Sequence, residues 1–347
     1  MGINLKDLVE GKPITIDELR GRVLIVDAFN ILYQFLTTIR QPDGTPLKTS
    51  TGVITSHLVG LFNRTTKLML SGIKLAFVFD GEPPKLKELE RERRALGKIE
   101  AMRLYEEAKI REDVDAMRKY AARTSRLSAE MVEDAKQLLV ALGVPVIQAP
   151  SEGEAQAAYM VSKGFGYGVV SEDNDCLLFG VPRLIKGLSI TRRRKERDKL
   201  NYIKTEIELI ELEHVLNTLG INQDQLIVLG MLIGTDFNPG GIPGIGPKRA
   251  LQIVKTLGSE PKKIFEEVKW QDYFSFDWRD VFNIFKHSKH TDEFKLEWKA
   301  PDMAKVKELL VARFEFSESN VTKKLQQLEK YLGSAKQQSL GDFFAIR

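Results

Sequence analysis

Seven carboxylates carry the chemistry legible in this 347-residue chain: Asp27, Asp80, Glu152, Glu154, Asp173, Asp175 and Asp236. Each sits where the sequence predicts a strand end, a helix start or a turn. Carboxylates gathered in one place without a counter-charge repel one another, or some of them stay protonated. Hard divalent cations resolve that conflict. Mg²⁺ takes oxygen ligands and keeps several waters, and two such ions about 4 Å apart activate water and stabilise the leaving oxygen in phosphodiester hydrolysis. Each carboxylate also has a structural reading. Ser151-Glu152-Gly153-Glu154 fits a helix capping box, which accounts for Glu154 but not for Glu152. Asp173 and Asp175 would look the same in a plain acidic turn. A calcium loop is excluded, because its fifth position falls on Leu177 and its glycine is missing.

Asp27, Asp80, Asp173 and Asp175 follow short apolar runs: Val23 to Val26, Leu75 to Phe79 and Gly168 to Val170. A fourth run, Pro145 to Ile147, leads to Pro150. Such runs read as strands buried on both faces, and helical patterns between them, Thr55 to Leu70 and Ser128 to Leu142, predict an α/β fold with a largely parallel central sheet flanked by helices. In open sheets of that kind the functional crevice lies beyond the carboxyl ends of the strands, where these aspartates are. The stretch from about 85 to 127 interrupts the alternation and reads as a charged helical insertion, in which Lys87 and Arg94, seven apart, share one helix face. After the acidic cluster the pattern reads as all-helical. Gly241-Ile242-Pro243-Gly244-Ile245-Gly246-Pro247-Lys248 joins two of those helices as a helix-hairpin-helix signature. Its glycines let the backbone approach a phosphate, and Lys248 and Arg249 add cations beside the helix N-terminal amides.

Composition bounds the rest. With 43% hydrophobic and 29% charged residues the chain is an ordinary globular protein. No apolar run approaches the roughly 20 residues needed to span a bilayer, and no signal pattern opens the sequence, so an intracellular, soluble protein with no membrane partner is expected. The single Cys176 forms no internal disulfide, and the four histidines offer no spaced zinc set. The net charge of +4 is too small to name a partner, but its distribution is uneven. Residues Lys85 to Arg126 hold 13 basic against 9 acidic side chains, and Arg192 to Lys199 hold 6 against 2. From Gly333 to Arg347 apolar content is too low to pack, which predicts a flexible tail, yet Gln337, Leu340, Phe343 and Phe344 are spaced as one helical turn presenting an apolar plug to a partner.

As a whole the sequence resembles the flap endonucleases of archaea and eukaryotes, within the structure-specific 5′ nuclease superfamily and its PIN-like fold. The most specific stretches are Val26-Asp27-Ala28-Phe29-Asn30 with Tyr33-Gln34-Phe35-Leu36, Val78-Phe79-Asp80-Gly81-Glu82-Pro83-Pro84, Ala149 to Tyr159, Leu177-Leu178-Phe179-Gly180 and Gly234-Thr235-Asp236-Phe237-Asn238-Pro239-Gly240-Gly241. The resemblance implies Mg²⁺-dependent cleavage at the base of a 5′ DNA flap, with 5′-3′ exonuclease activity, in Okazaki fragment maturation and long-patch base excision repair. It puts Asp80, Glu152 and Glu154, with Asp27 nearby, at one metal region and Asp173, Asp175 and Asp236 at the other. Asp80 and Asp173 then belong to the catalytic set with Lys87 and Arg94, which match a basic pair on a helical arch, with Lys85 and Arg91 as alternates. Implied DNA contacts are Gly2, Tyr33, Arg40, Gly234, Gly244, Gly246, Lys248 and Arg249, with K⁺ at the hairpin. The chain is expected to divide into a nuclease unit over 1–332, with N-terminal region 1–84, arch 85–127, internal region 128–222, hairpin region 223–258 and helical part 259–332, and a flexible tail over 333–347. That tail would hook onto a sliding clamp (PCNA). Free protein is expected as a monomer, in the cytoplasm and nucleoid of an archaeon or the nucleus of a eukaryote. The chain departs from its relatives at Glu172, Asn174 and Cys176, where they commonly have Gln, an aromatic and Ser. The alternatives are a related repair or junction-resolving 5′ nuclease, or a non-catalytic DNA-binding clamp adaptor.

Overall fold

The computed structural model describes residues 3, 5, 7–188, 193–195, 202–204, 206–258 and 260–344. Gly2 lies outside them. Nine strands occur among the described residues: β1 (Lys12–Ile14), β2 (Val23–Asp27), β3 (Lys74–Phe79), β4 (Val146–Gln148), β5 (Gly168–Val170), β6 (Arg183–Lys186), β7 (Arg193–Lys195), β8 (Tyr202–Lys204) and β9 (Ile207–Glu211). Seven form one sheet in the order β1-β9-β6-β5-β2-β3-β4, and β7 and β8 pair separately. From β6 to β4 every neighbouring pair is parallel, with Val26 of β2 opposite Phe77 of β3 and Val170 of β5. On the other side β9 runs antiparallel to β6 and β1.

The central strands read as continuous apolar runs because helices cover both faces. Leu24, Val26, Leu75, Phe77 and Phe79 point into one core, while Ile25, Ala76, Val78, Ile147 and Val169 point into the other. The first core is roofed by α1 (Ala28–Thr38), α2 (Ser56–Leu70), α5 (Ala129–Ala141) and the start of the last helix. Between α2 and α5 rise two helices of the charged insertion, α3 (Lys87–Ile110) and α4 (Val114–Arg123). The second core takes α6 (Gly153–Ser162), α7 (Asp175–Leu178), α8 (Leu212–Leu219), α9 (Gln223–Ile233), α10 (Pro247–Leu257), α11 (Pro261–Glu267) and α12 (Trp278–Lys286). Helix α13 (Met303–Lys307), a π turn over Glu308–Arg313 and α14 (Glu318–Phe344) close the chain. None of the described helices is long and apolar enough to cross a membrane.

One expectation meets a different structure. Four strands, β6 to β9, follow the acidic cluster where the pattern reads as all-helical. In the sheet β6 buries only Leu184 and Ile185 and β9 only Leu209 and Ile210, an apolar pair in each that is too short a signal to separate a strand from a loop. The backbone of α14 runs unbroken from Glu318 through Phe344. The two helices that shape the site, α1 and α2, touch at Gly60, where an added Cβ would stand 2.2 Å from Cγ of Phe35. Gly60→Ala is therefore expected to lower stability by about 1–3 kcal/mol through overpacking, read as an earlier urea midpoint at unchanged slope. An unmoved midpoint would mean that α2 shifts aside without strain.

Candidate functional site

The parallel register delivers the carboxylates. Asp27 closes β2 and caps α1, its Oδ1 accepting the Asn30 amide at 3.1 Å. Asp80 follows β3, and its Oδ1 accepts the backbone N–H of Gly153 at 2.8 Å. Glycine is required there, since a Cβ would lie 2.6 Å from that same oxygen. Glu152 is the N-cap of α6, and Glu154 stands in the first turn. The capping box does not form: Ser151 Oγ donates instead to the Glu82 carbonyl at 2.9 Å, and no side chain caps α6. Glu154 turns inward, with its Oε1 3.7 Å from Cys176 Sγ. Asp173 lies in the turn after β5 and Asp175 opens α7, with the Asp175 amide bonded to Asp173 Oδ1 at 3.0 Å. Asp236 comes from far along the chain, in a turn after α9 fixed by Asn238, whose side chain takes Thr235 Oγ1 at 2.7 Å and donates to the Met231 carbonyl at 2.7 Å.

These groups feel one another. Burial raises Asp27 first, then Asp80, and its carboxyl is pushed up to about 7. Burial and Asp173 hold both Glu154 and Asp175 well above the usual carboxylate range. Asp80 and Glu152 are raised by burial too, with Lys87 pulling the other way. Among the described residues no three such side chains converge closely enough to wrap one ion directly. That geometry still suits Mg²⁺, which keeps several waters and takes only one or two carboxylates in direct contact. The donor set, oxygen throughout and buried against its own charge, fits hard divalent cations.

The counter-charges come from α3. Lys87, the first residue of that helix, ion-pairs with Glu152. Burial opposes its charge, but Glu152 and Asp80 outweigh it and raise its pKa. Arg94 donates from Nη2 to Asp236 at 2.6 Å. The register of Lys87 and Arg94 therefore points both at the cluster, Lys87 at Glu152 and Arg94 at Asp236. Tyr33 on α1 is 39% exposed beside them, with Lys98 Nζ 6.0 Å from its ring centre. Arg40 spends its guanidinium on the protein, donating to the Thr37 and Gly44 carbonyls at 3.2 and 2.7 Å and to Ser125. Gly234, at φ 110°, ends α9 with its α-carbon against Gly241. Gly244 and Gly246 line the turn before α10, where no side chain would meet a neighbour, and Lys248 and Arg249 stand exposed on its first turn. This second surface is separate from the carboxylates. Gln337, Leu340, Phe343 and Phe344 share the backbone helix α14.

Sequence reasoning passed over the groups that hold the carboxylates. Ser171 Oγ donates to Asp27 Oδ2 at 3.0 Å and accepts the Asp173 amide, and Gln148 Nε2 bonds the Asp80 carbonyl at 2.6 Å. Ser171 directly precedes Glu172 and Asp173 in the sequence, so a signal was present. Gln148 had none.

A family model described as the XPG N-terminal domain matches residues 1–101, and one described as the XPG I-region matches residues 143–236. The Flap endonuclease 1 of Thermofilum pendens is 49% identical over 349 residues, covering 100% of both chains. That of Thermococcus onnurineus is 46% identical over 347 residues, again covering 100% of both. The chain belongs to the flap endonuclease family. Its fold agrees with the solved flap endonuclease-1 of Methanococcus jannaschii at TM-score 0.77 and 37% identity, covering 96% of this chain and 100% of that one. The catalytic core of Rad2, solved with a DNA substrate, shares the fold at TM-score 0.65 and 22% identity over 92% of this chain and 96% of its own.

A raised carboxyl makes a specific demand on pH. The folded flap endonuclease chain holds the Asp27 proton more tightly than the unfolded chain does, so this group's contribution to stability is present below about 3.8 and is lost as pH rises through about 7. In chelator at pH 8, Asp27→Asn should accordingly be more stable than the parent by over about 1 kcal/mol, with the gap closing toward pH 4. A variant less stable than the parent at pH 8 would show that Asp27 is held by its hydrogen bonds rather than strained by its neighbours.

Proposed function

We propose that the chain is a Mg²⁺-dependent, structure-specific 5′ flap endonuclease with 5′-3′ exonuclease activity, hydrolysing the phosphodiester at the base of a 5′ DNA flap to leave a 5′-phosphate and a 3′-hydroxyl. The observation that carries this reading is the reach of α3 over both halves of the carboxylate cluster, Lys87 to Glu152 and Arg94 to Asp236. Asp80, Glu152 and Glu154, with Asp27, would hold one ion, and Asp173, Asp175 and Asp236 the other. Two Mg²⁺ ions, when bound, supply a Lewis-acid centre that activates water and neutralises charge on the leaving oxygen.

The chain's own residues do the rest. Lys87 and Arg94 hold the scissile phosphate and offset the charge that builds on its oxygens. Tyr33 offers a ring on which the base next to the cut stacks. Arg40, bonded to the carbonyls at either side of its loop, fixes that loop where α1 meets the end of the arch. The amides at Gly244 and Gly246, with Lys248 and Arg249, hold a duplex backbone without reading its bases, and a K⁺ ion would sit among the carbonyls of that turn. Gly234 lets the turn bearing Asp236 pack against Gly241, and Gly2 would lie near the bound DNA. Through Gln337, Leu340, Phe343 and Phe344 the end of the chain engages a sliding clamp.

The test is cleavage of an end-labelled double-flap DNA in Mg²⁺ and in EDTA, beside bubble and four-way-junction substrates. One Mg²⁺-dependent cut at the flap junction is expected. Preferential cutting of the bubble or the junction would replace the flap reading with a repair or junction-resolving one. Asp80→Ala and Asp173→Ala should each slow the cut by at least about 100-fold while DNA binding persists, and intact cleavage in either would remove that residue from the metal set. Replacing Lys248 and Arg249 with Ala should weaken binding and lower the slope of log affinity against log salt by about 2. An unchanged slope would move the duplex contact elsewhere.

A further inference from the structure

One buried acid at the site has no part in the foregoing. Glu90 lies on α3 between Lys87 and Arg94, and its side chain is only 3% exposed, although most charged side chains of that helix face water. It accepts Arg93 Nε at 2.7 Å and Arg93 Nη2 at 3.0 Å, and Arg94 Nε at 2.7 Å. Arg93 then runs out to solvent at 68% exposure, whereas Arg94 reaches on to Asp236. An exposed acid four residues before an arginine is commonplace on helices and holds its partner loosely. A buried one is different, because a carboxylate removed from water persists only where its hydrogen bonds are satisfied in a fixed geometry.

From this geometry we infer that Glu90 is a positioning residue for Arg94. The guanidinium is a rigid planar fork. With Nε pinned by Glu90, its plane is set and its outer nitrogens can only face the cluster, where Nη2 now meets Asp236 at 2.6 Å. A scissile phosphate arriving between the two would take the outer nitrogens without any change at Nε. Glu90 thereby lets Arg94 exchange one anionic partner for another with no loss of aim, and Arg93 completes the bonding of the buried carboxylate. The inference rests on the nuclease reading above, in which Arg94 meets the phosphate.

Single-turnover cleavage of flap DNA tests it, with DNA affinity measured separately. Glu90→Gln keeps the volume but loses two good acceptor positions for guanidinium N–H groups, and it should slow the cut about tenfold or more with DNA affinity within about threefold of the parent. Glu90→Asp, one methylene shorter, should fall between the two and serves if the Gln protein does not fold. Arg93→Ala should slow the cut less than Glu90→Gln does, since it leaves the Arg94 Nε bond to Glu90 in place. The double variant Glu90→Gln with Arg94→Ala should be no slower than Arg94→Ala alone, because an acid that acts only through Arg94 has nothing left to aim. Losses that multiply, an unimpaired Glu90→Gln, or affinity that falls in step with rate would each overturn the inference. A parent chain that binds flap DNA and cuts none would overturn the nuclease reading itself, and this inference with it.

Discussion

Mutual repulsion among buried carboxylates is the constraint around which the molecule is arranged. Parallel strands end together, so β2, β3 and β5 release Asp27, Asp80 and Asp173 at one edge of the sheet, and helices covering both faces keep that edge from being fully wet. A fold that gathered acids there for no purpose would be selected against, since each one raises the next. The structure instead supplies partial relief from every available source. Backbone amides of Asn30, Gly153 and Asp175 serve as donors, Ser171 bridges Asp27 and Asp173, and Ile3 donates to Asp175 at 2.7 Å. These are neutral groups, and they leave the charge itself to cations.

The cations on hand belong to α3. Because the insertion follows β3 and Asp80 closely, the first residue of α3, Lys87, is already over the site, and two turns later Arg94 is on the same face. One helix thus links the two halves of the cluster, which otherwise belong to segments as distant in sequence as Glu152 and Asp236. On the proposed reading substrate recognition and charge compensation are one event: whatever draws Lys87 and Arg94 off their carboxylates must bring negative charge for them and positive charge for the cluster. A phosphodiester accompanied by divalent ions meets both demands.

How much of this was legible beforehand depended on the length and polarity of each signal. The strands leading to Asp27 and Asp80 were readable because four or five consecutive buried residues leave a run that a loop does not imitate. The seven carboxylates stood out by type and by place after those runs. Strands β6 and β9 did not, because each buries only two consecutive apolar residues and owes its place in the sheet to pairing on both sides. The capping box at Ser151 illustrates the same limit: local spacing allowed it, but the Glu82 carbonyl, 69 residues off, took the hydroxyl. Glu90 was unreadable for a related reason. A glutamate four residues before an arginine is ordinary on any charged helix, and only burial shows that this one is different. Spacing put Lys87 and Arg94 on one face without saying what that face met.

The most direct measurement of the central claim is calorimetric titration of the DNA-free protein with Mg²⁺ or Mn²⁺ near pH 7, repeated in buffers of different ionisation enthalpy. If repelling, partly protonated carboxylates form a divalent-cation site, binding releases protons, so the observed heat will depend on the buffer, and Asp27→Asn will release fewer. Binding with no proton release, or no binding that the Asp80→Ala and Asp173→Ala variants abolish, would contradict the account.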